Sequence, residues 1–568
     1  MTPKTTRFFP VILLFLFATA RAQNYPTGYF RNPLALPMSL AGNFGELRSN
    51  HYHMGLDLRT NNRINQPVYA AADGYIARIK IEPLGFGQAI YINHPNGYTT
   101  VYVHLNQFYP ALAQYIKQQQ YIQQSWELFL EFTPNQFPVT KGQLIAYSGN
   151  MGGSQAPHLH FEVRRTKDDT NLNPALFGFP LPDNTSPKIF KLALYDRTKS
   201  TYEQTPKIFP LNNRVKGAHV PGTPSITVNS ELFSFAINAW DTHNGSSHTI
   251  GIYQAILFLD EVEQVRFTMD DISYDNTRYV NGHVDYKTKA HGGPWLQHLS
   301  QLPGYPDGIY QKGAGDGVIH LTDQDAHQVR IEVKDANGNS STIRFQVQYK
   351  PLAAAPYSGK AHMFYPLMVD VAESPDCEFY LGEHCLYDSV HLAIASTTST
   401  NPRVISGVHA IGQAYIPVQD YFLVRIKPTR PMALIDTSKV VMQRFAGSRK
   451  DVKKVSWQNA WAAAKFRDFG NFQLVVDEEP PQIVPVKFHN NANLSRLGQI
   501  SFTVRDNLEK FQNFRAELDG KWICFTNDKG RVFTYRFDEH CLPGSHELKI
   551  HVEDEAGNVS EEVFKFVR

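Results

Sequence analysis

Apolar and polar residues alternate one for one in many short stretches of this chain, which is the period of a strand with one buried face. Val101-Tyr102-Val103-His104-Leu105 follows the turn signal Asn93-His94-Pro95-Asn96-Gly97 and reads as such a strand. His158-Leu159-His160-Phe161-Glu162-Val163 reads as another, with both imidazoles on one face and Leu159 and Phe161 on the other. The stretches Val329-Arg330-Ile331-Glu332-Val333 and Leu548-Lys549-Ile550-His551-Val552 match position by position. Each continues into an aspartate turn, closed by Gly338-Asn339 or Gly557-Asn558, and then into a second alternating strand. Asp335, Asn337, Asn339 and Asp554 in these turns are read as turn formers rather than calcium ligands, since Asp and Asn satisfy local backbone and Gly supplies φ > 0. Helical spacing is confined to two places. Pro110 opens a candidate helix with Phe108, Leu112, Tyr115 and Ile116 at helical intervals, before Trp126 to Leu130 resumes a strand pattern, and Trp457 to Phe466 reads as an Ala-rich packing helix.

A length of 568 residues exceeds one core and predicts three to four folding units. Two proline-bearing polar turns mark candidate junctions, Asp183 to Ile189 and Asp477 to Ile483. Aromatic residues at 12%, with 28 Tyr and 37 Phe, favour strands over helices. A net charge of +2 gives no electrostatic case for a nucleic-acid partner. Residues 1–22 read as an export signal: basic Lys4 and Arg7, an apolar run from Phe8 to Ala18, and the small-residue pattern ending at Ala22. The run is shorter than the ~20 apolar residues that span a bilayer, so no membrane span is expected after cleavage. Four cysteines in an exported chain favour disulfides over zinc ligation. The sequence-local pairing, Cys377 with Cys385 and Cys524 with Cys541, is one of three connectivities, beside four free thiols.

The chemistry concentrates near the N-terminus. His53 and Asp57 offer an imidazole and a carboxylate, both zinc ligands, and two histidines sharing a strand face at 158 and 160 can act on one metal centre. No H-E-x-x-H occurs, so the usual glutamate base of helix-borne metalloproteases is missing and histidine is the natural substitute. Taken in order, His53-x-Gly55-x-Asp57, Tyr102-x-His104-Leu105 and His158-x-His160 resemble the lysostaphin and LytM type of peptidoglycan zinc endopeptidases. The likeness spans Asn43 to Arg165 and extends to the segments Gly42 to Arg48, Val68 to Gly74, Gly85 to His94 and Lys141 to Gly149.

That resemblance implies one Zn²⁺ held by His53, Asp57 and His160, with a fourth position open to water or substrate. His104 and His158 would line the open position as the catalytic pair, one taking a proton from water, the other stabilising the oxyanion or protonating the leaving amine, in either assignment. Spacing to Asp57 and the following Gly55 favour His53 over His51, and His94 reads as a hairpin residue. Glu162 shares the register of His158 and His160 and reads either as an orienter of a ligand or as an exposed strand carboxylate. Tyr102 reads as a packed aromatic on the face of His104. The two repeated hairpins resemble the last hairpin of immunoglobulin-like sandwiches in bacterial surface proteins.

The expected fold is all-β dominated and multidomain: a small antiparallel β-sheet metallopeptidase domain, lysostaphin-like with a short helical insert, followed by β-sandwich-like domains. The expected units are a signal peptide (1–22), the zinc metallopeptidase (23–183), an immunoglobulin-like domain (184–350), a β-rich domain of uncertain type (351–476) and a second immunoglobulin-like domain (477–568). The implied function is hydrolysis of peptidoglycan peptides in the periplasm or outside the cell, with an envelope protein as a possible partner of the later domains. The alternative is a non-catalytic envelope scaffold or hydrolase regulator that retains the fold. The insert from Phe108 to Phe137 reads either as a border of the substrate groove that restricts access or as a peripheral decoration.

Overall fold

A computed structural model describes residues 25–568 except 212, 216, 224, 245, 247, 307, 353–360 and 531, so the expected signal over 1–22 lies outside the described residues. Strands dominate and form separate, mostly antiparallel sheets, as the alternating pattern requires. Among the described residues no helix is long and apolar enough to cross a membrane.

The first sheet carries the expected ligands. Its main path runs Leu40–Gly42, Leu56–Arg59, His158–Arg165, Tyr98–Val103, Gln88–Asn93, Gly74–Ile81 and Leu128–Glu131. Leu56, Leu58, Tyr102, Ile90, Ile92, Leu159, Phe161 and Val163 are fully buried in one apolar core on one face. Strand periodicity therefore sends Asp57, His158, His160 and Glu162 to the opposite face. In register, His160 lies between Asp57 on one neighbouring strand and Val103 on the other. A smaller sheet of Pro67–Tyr69, Leu144–Ser148 and Leu105–Phe108 adds Val68, Leu105, Phe108 and Ile145 to the same core.

The insert forms the helix Pro110–Gln123, with proline in its first turn, and the edge strand Leu128–Glu131. Leu112 and Ile116 are its buried helical residues. Further contacts run to the C-terminal part of the chain. Lys117 Nζ donates to both Glu539 oxygens at 2.8 and 2.9 Å, the Tyr121 ring stacks on His540 at 3.8 Å, and Arg515 Nη1 donates to Gln124 Oε1. The insert thus docks the C-terminal part of the chain.

Residues 188–349 form two sheets that share one core. Lys188–Asp196 pairs with Leu232–Thr242 in the first, and Ala326–Lys334 and Ser340–Tyr349 pair as the repeated hairpin in the second. Residues 370–476 form two five-stranded sheets, and residues 482–567 a three-stranded and a five-stranded sheet around a separate core. Trp457 to Phe466 is not a helix. Asn459 adopts φ +56° and closes a hairpin between Ser456–Gln458 and Trp461–Asp468, and the latter strand pairs with Pro417–Ile426. The alanines at 462 and 464 are small enough to pack between the sheets, so tertiary pairing overrides their helical preference. The four cysteines are free thiols, three buried and Cys524 half-buried. Burial pushes the Cys377 thiol up to about 12 and the Cys385 thiol to about 11, so both behave as small apolar side chains.

One core crosses the expected boundaries. Phe44, Leu47, Tyr52 and Met54, which flank His53, pack with Phe267, Met269, Tyr279 and Tyr305 rather than inside the first core.

Candidate metal centre

His53 Nε2, Asp57 Oδ1 and His160 Nδ1 converge from a loop and two adjacent strands. His53 Nε2 lies 2.9 Å from Asp57 Oδ1 and 3.0 Å from His160 Nδ1, which is itself 2.9 Å from Asp57 Oδ1. All three residues are less than one-tenth exposed. The outer nitrogens define the tautomers. His53 Nδ1 donates to the Asn43 carbonyl at 2.7 Å, and His160 Nε2 donates to Glu162 Oε1 at 3.0 Å. In the neutral rings both inner nitrogens therefore carry lone pairs that face each other and a carboxylate oxygen. Three lone pairs this close repel unless a proton or cation sits among them. Two imidazole nitrogens and one carboxylate oxygen form a donor set suited to zinc, and their buried position meets that requirement. Arg48 Nη2 holds the other Asp57 oxygen at 3.2 Å.

When no cation is bound, the cluster instead takes up protons, which the inner nitrogens donate to Asp57. Burial works to raise the Asp57 carboxyl, but the His53 charge and hydrogen bonds from His158, His160 and His53 outweigh it and hold it well below the usual range. Burial works to lower His160, yet the hydrogen bonds to Asp57 and Glu162 raise it to about 9. Glu162 is fully buried, accepts from His160 and is bound by Arg164 Nε at 2.7 Å, so it is not an exposed strand carboxylate.

His104 and His158 border the same point. Their ring centroids are 4.8 Å apart, and that of His104 lies 6.0 Å from His160. His104 Nδ1 donates to the Met151 carbonyl at 2.8 Å and His158 Nδ1 to the Ala156 carbonyl at 2.8 Å, which leaves Nε2 of each ring without its proton in the neutral form. His158 Nε2 is 3.2 Å from Asp57 Oδ1. Burial, then the like charges of His160 and His158, push His104 down to about 3, so it is neutral at physiological pH. His104 has φ +61° between Tyr98–Val103 and Leu105–Phe108. Regular alternation would have turned it towards the core with Tyr102; the left-handed kink breaks that alternation, and its ring instead lies beside His158. Tyr102 is packed and fully buried, its hydroxyl accepting from Ala71 N at 2.8 Å.

His51 is exposed and turned to the Ser49 carbonyl, and His94 is buried in its turn between the Asp73 carbonyl and Thr100, so neither joins the centre. Three contributors escaped sequence reasoning: Asn43, Arg48 and Tyr274. Tyr274 OH donates to Glu162 Oε1 at 2.9 Å from 112 positions away, and the Asn43 side chain exchanges hydrogen bonds of 2.8 Å with Gly251 N and O. Only the Gly42 to Arg48 match gave a signal for the first two.

A three-donor cation site on the polar face of a small antiparallel sheet, bordered by two further histidines, defines a lysostaphin-like metallopeptidase domain. Residues 51–127 match the family model described as Peptidase family M23. Residues 361–477 match the Zu5-like domain, which gives a type to the β-rich region left uncertain by sequence patterns. Among curated proteins the chain is similar to the DD-carboxypeptidase/endopeptidase Mpg of Neisseria meningitidis serogroup B, 32% identical over 133 residues, 23% of this chain and 24% of that protein. It is also similar to the peptidoglycan DD-endopeptidase ShyB of Vibrio cholerae, 31% identical over 111 residues, 20% of each chain. The match thus spans about a quarter or less of these relatives' own length. A solved catalytic domain of lysostaphin from Staphylococcus simulans aligns at 22% identity and TM-score 0.17, over 24% of this chain and 89% of that one.

Proposed function

We propose that the chain is a zinc-dependent endopeptidase that hydrolyses peptide bonds in peptidoglycan, at cross-links or in stem peptides, outside the cytoplasm. The observation that carries this reading is the convergence of His53 Nε2, Asp57 Oδ1 and His160 Nδ1 with their tautomers held from behind. Bound there, zinc supplies a Lewis acid that polarises a carbonyl and acidifies water. His104 and His158 present Nε2 beside that position: in the neutral ring it accepts the water's proton, and a ring protonated there stabilises the oxyanion or protonates the leaving amine, in either assignment. Backbone carbonyls fix both rings, so neither must reorient as the reaction begins. Short, flexible wall peptides suit a site whose ligands are mostly buried, because a scissile carbonyl reaches it without unfolding of the substrate. The relatives named as peptidoglycan endopeptidases support that substrate class. The export signal expected from the sequence over 1–22 is in keeping with action in the envelope. A scaffold that had lost catalysis would be expected to lack a ligand or a catalytic histidine, and all five are present.

We assign residues 23–183 to the peptidase, 184–350 and 477–568 to immunoglobulin-like modules and 351–476 to the β module between them, the three together positioning the enzyme on the envelope or on a protein partner. Mass analysis of defined cross-linked muropeptides after incubation with the purified chain tests the activity. Pairs of products whose masses sum to the substrate plus one water, lost with a chelator and regained with zinc, are expected; untouched muropeptides beside a zinc-loaded chain would overturn it.

A further inference from the structure

The two repeated hairpins use their aspartates as turn formers, yet the turns do not account for every carboxylate around them. Asp335 Oδ1 accepts from Asn337 N and Asn339 N at 2.9 Å each, and Oδ2 accepts from Asn339 Nδ2 at 2.7 Å. Asp554 repeats the pattern, Oδ1 and Oδ2 accepting from Asn558 N and Nδ2 at 2.8 Å. The same two amides reach the residue that opens each module: Asn339 Nδ2 donates to the Asp183 carbonyl at 3.1 Å and Asn558 Nδ2 to the Asp477 carbonyl at 2.9 Å.

A third aspartate completes each group. Asp241 lies near the end of Leu232–Thr242, and Asp506 directly follows Gln499–Arg505. One carboxylate oxygen from each of Asp183, Asp241 and Asp335 lies within 4.8 Å of the other two, and the same holds for Asp477, Asp506 and Asp554. Asp241 is only 3% exposed, and its Oδ1 is buried without a hydrogen-bond partner; Asp506 is half-buried as a residue, and its Oδ1 is likewise shut from solvent without a partner. Buried carboxylate oxygens are costly when unsatisfied, and costlier beside like charges. The charges acting on Asp241 are those of Asp335 and Asp183, and together with burial they raise it to about 7. Those on Asp506 are Asp477 and Asp554. Asp183, Asp241 and Asp335 line a cavity of about 180 Å³, larger than the ~30 Å³ of one water.

The geometry points to a divalent-cation site of the calcium type at the head of each sandwich module, built from Asp183, Asp241 and Asp335 in one and from Asp477, Asp506 and Asp554 in the other. The clustered donors are hard oxygens, and carboxylates supplemented by backbone carbonyls and water are what calcium takes. A cation there ties together the opening segment, a strand end and the hairpin of its module, and so stiffens the junctions at 183 and 477. The first cavity is also lined by Asn43, whose carbonyl holds His53, so this site sits directly behind the peptidase.

Calcium titration of the zinc-loaded full chain by calorimetry tests the assignment, taken to about 10 mM because extracellular calcium modules bind at ~10⁻⁴ to 10⁻³ M. Two calcium ions per parent chain are expected, one for Asp241→Asn, one for Asp506→Asn and none for the double variant, with a rise in melting temperature that equal magnesium does not reproduce. Without calcium, Asp241→Asn should melt no lower than the parent, which shows that its lost site is not a lost fold. A parent chain that takes up no calcium, or variants that keep the parent's stoichiometry, would overturn it.

Discussion

The imidazoles around Asp57 owe their orientation to the groups on their far sides. Glu162 is the most consequential of these, since it accepts from His160, is held by Arg164 and receives the Tyr274 hydroxyl. Replacing Glu162 with Gln keeps an acceptor but removes the charge that favours the His160 Nε2–H tautomer. A loss of roughly 10- to 100-fold in zinc affinity is expected, with a smaller loss for Tyr274→Phe, both read by competition with a chromophoric chelator. Unchanged affinity in Glu162→Gln would remove its orienting role. The clustering of His53, Asp57 and His160, with His104 and His158 beside them, was legible because each has a metal-binding residue type at a fixed spacing or strand period. Tyr274 was not, since no local pattern links it to a carboxylate 112 positions earlier.

Alternation along single strands identified the sheet that carries the site, and it failed where an element bends or pairs at a distance. His104 sits at a left-handed kink, and the strand at Trp461–Asp468 follows a hairpin turn at Asn459, neither of which periodicity exposes. The insert's helix was legible from Pro110 and its apolar spacing, but its role was not, because its exposed face meets residues some four hundred positions away. A Lys117→Ala, Tyr121→Ala double variant removes a ring stack worth about 0.5 to 1.5 kcal/mol and an exposed ion pair worth up to about 1 kcal/mol. Amide exchange over 511–541 should accelerate roughly tenfold in that variant, with zinc content unchanged. Exchange at the parent's rate would show that the contact contributes nothing to docking.

At the scale of the whole molecule, the peptidase does not stand alone. Phe44, Tyr52 and Met54 pack into the following module, the Tyr52 and Tyr305 hydroxyls lie 3.0 Å apart, and Asn43 is bound to Gly251. A fragment of 23–183 leaves these apolar side chains in water and unties the Asn43 side chain from Gly251, loosening the residue whose carbonyl holds His53. It should purify with substoichiometric zinc and a lower melting temperature than 23–350, and equal values would contradict this dependence. The second module also carries a pH limit. Burial pushes His283 and His298 down to about 3, so from pH 6.5 downwards the unfolded chain binds more protons than the folded one. Their contribution is complete above pH 6.5 and is lost as pH falls towards 3, so the urea midpoint should drop between pH 7 and pH 5; a flat profile would contradict the buried, neutral state of both rings. The C-terminal module closes on the site as well: Lys529 Nζ donates to the carbonyls of Asn150, Gly152 and Ser154, in the loop whose Met151 carbonyl holds His104. The most direct measurement of the central claim is zinc per chain, taken beside muropeptide release for the parent, His160→Ala and His104→Ala. The account expects one zinc and full activity in the parent, loss of both in His160→Ala, and in His104→Ala a retained zinc with a rate lower by about 10²-fold or more. A His160→Ala chain that keeps the parent's zinc and rate would contradict it.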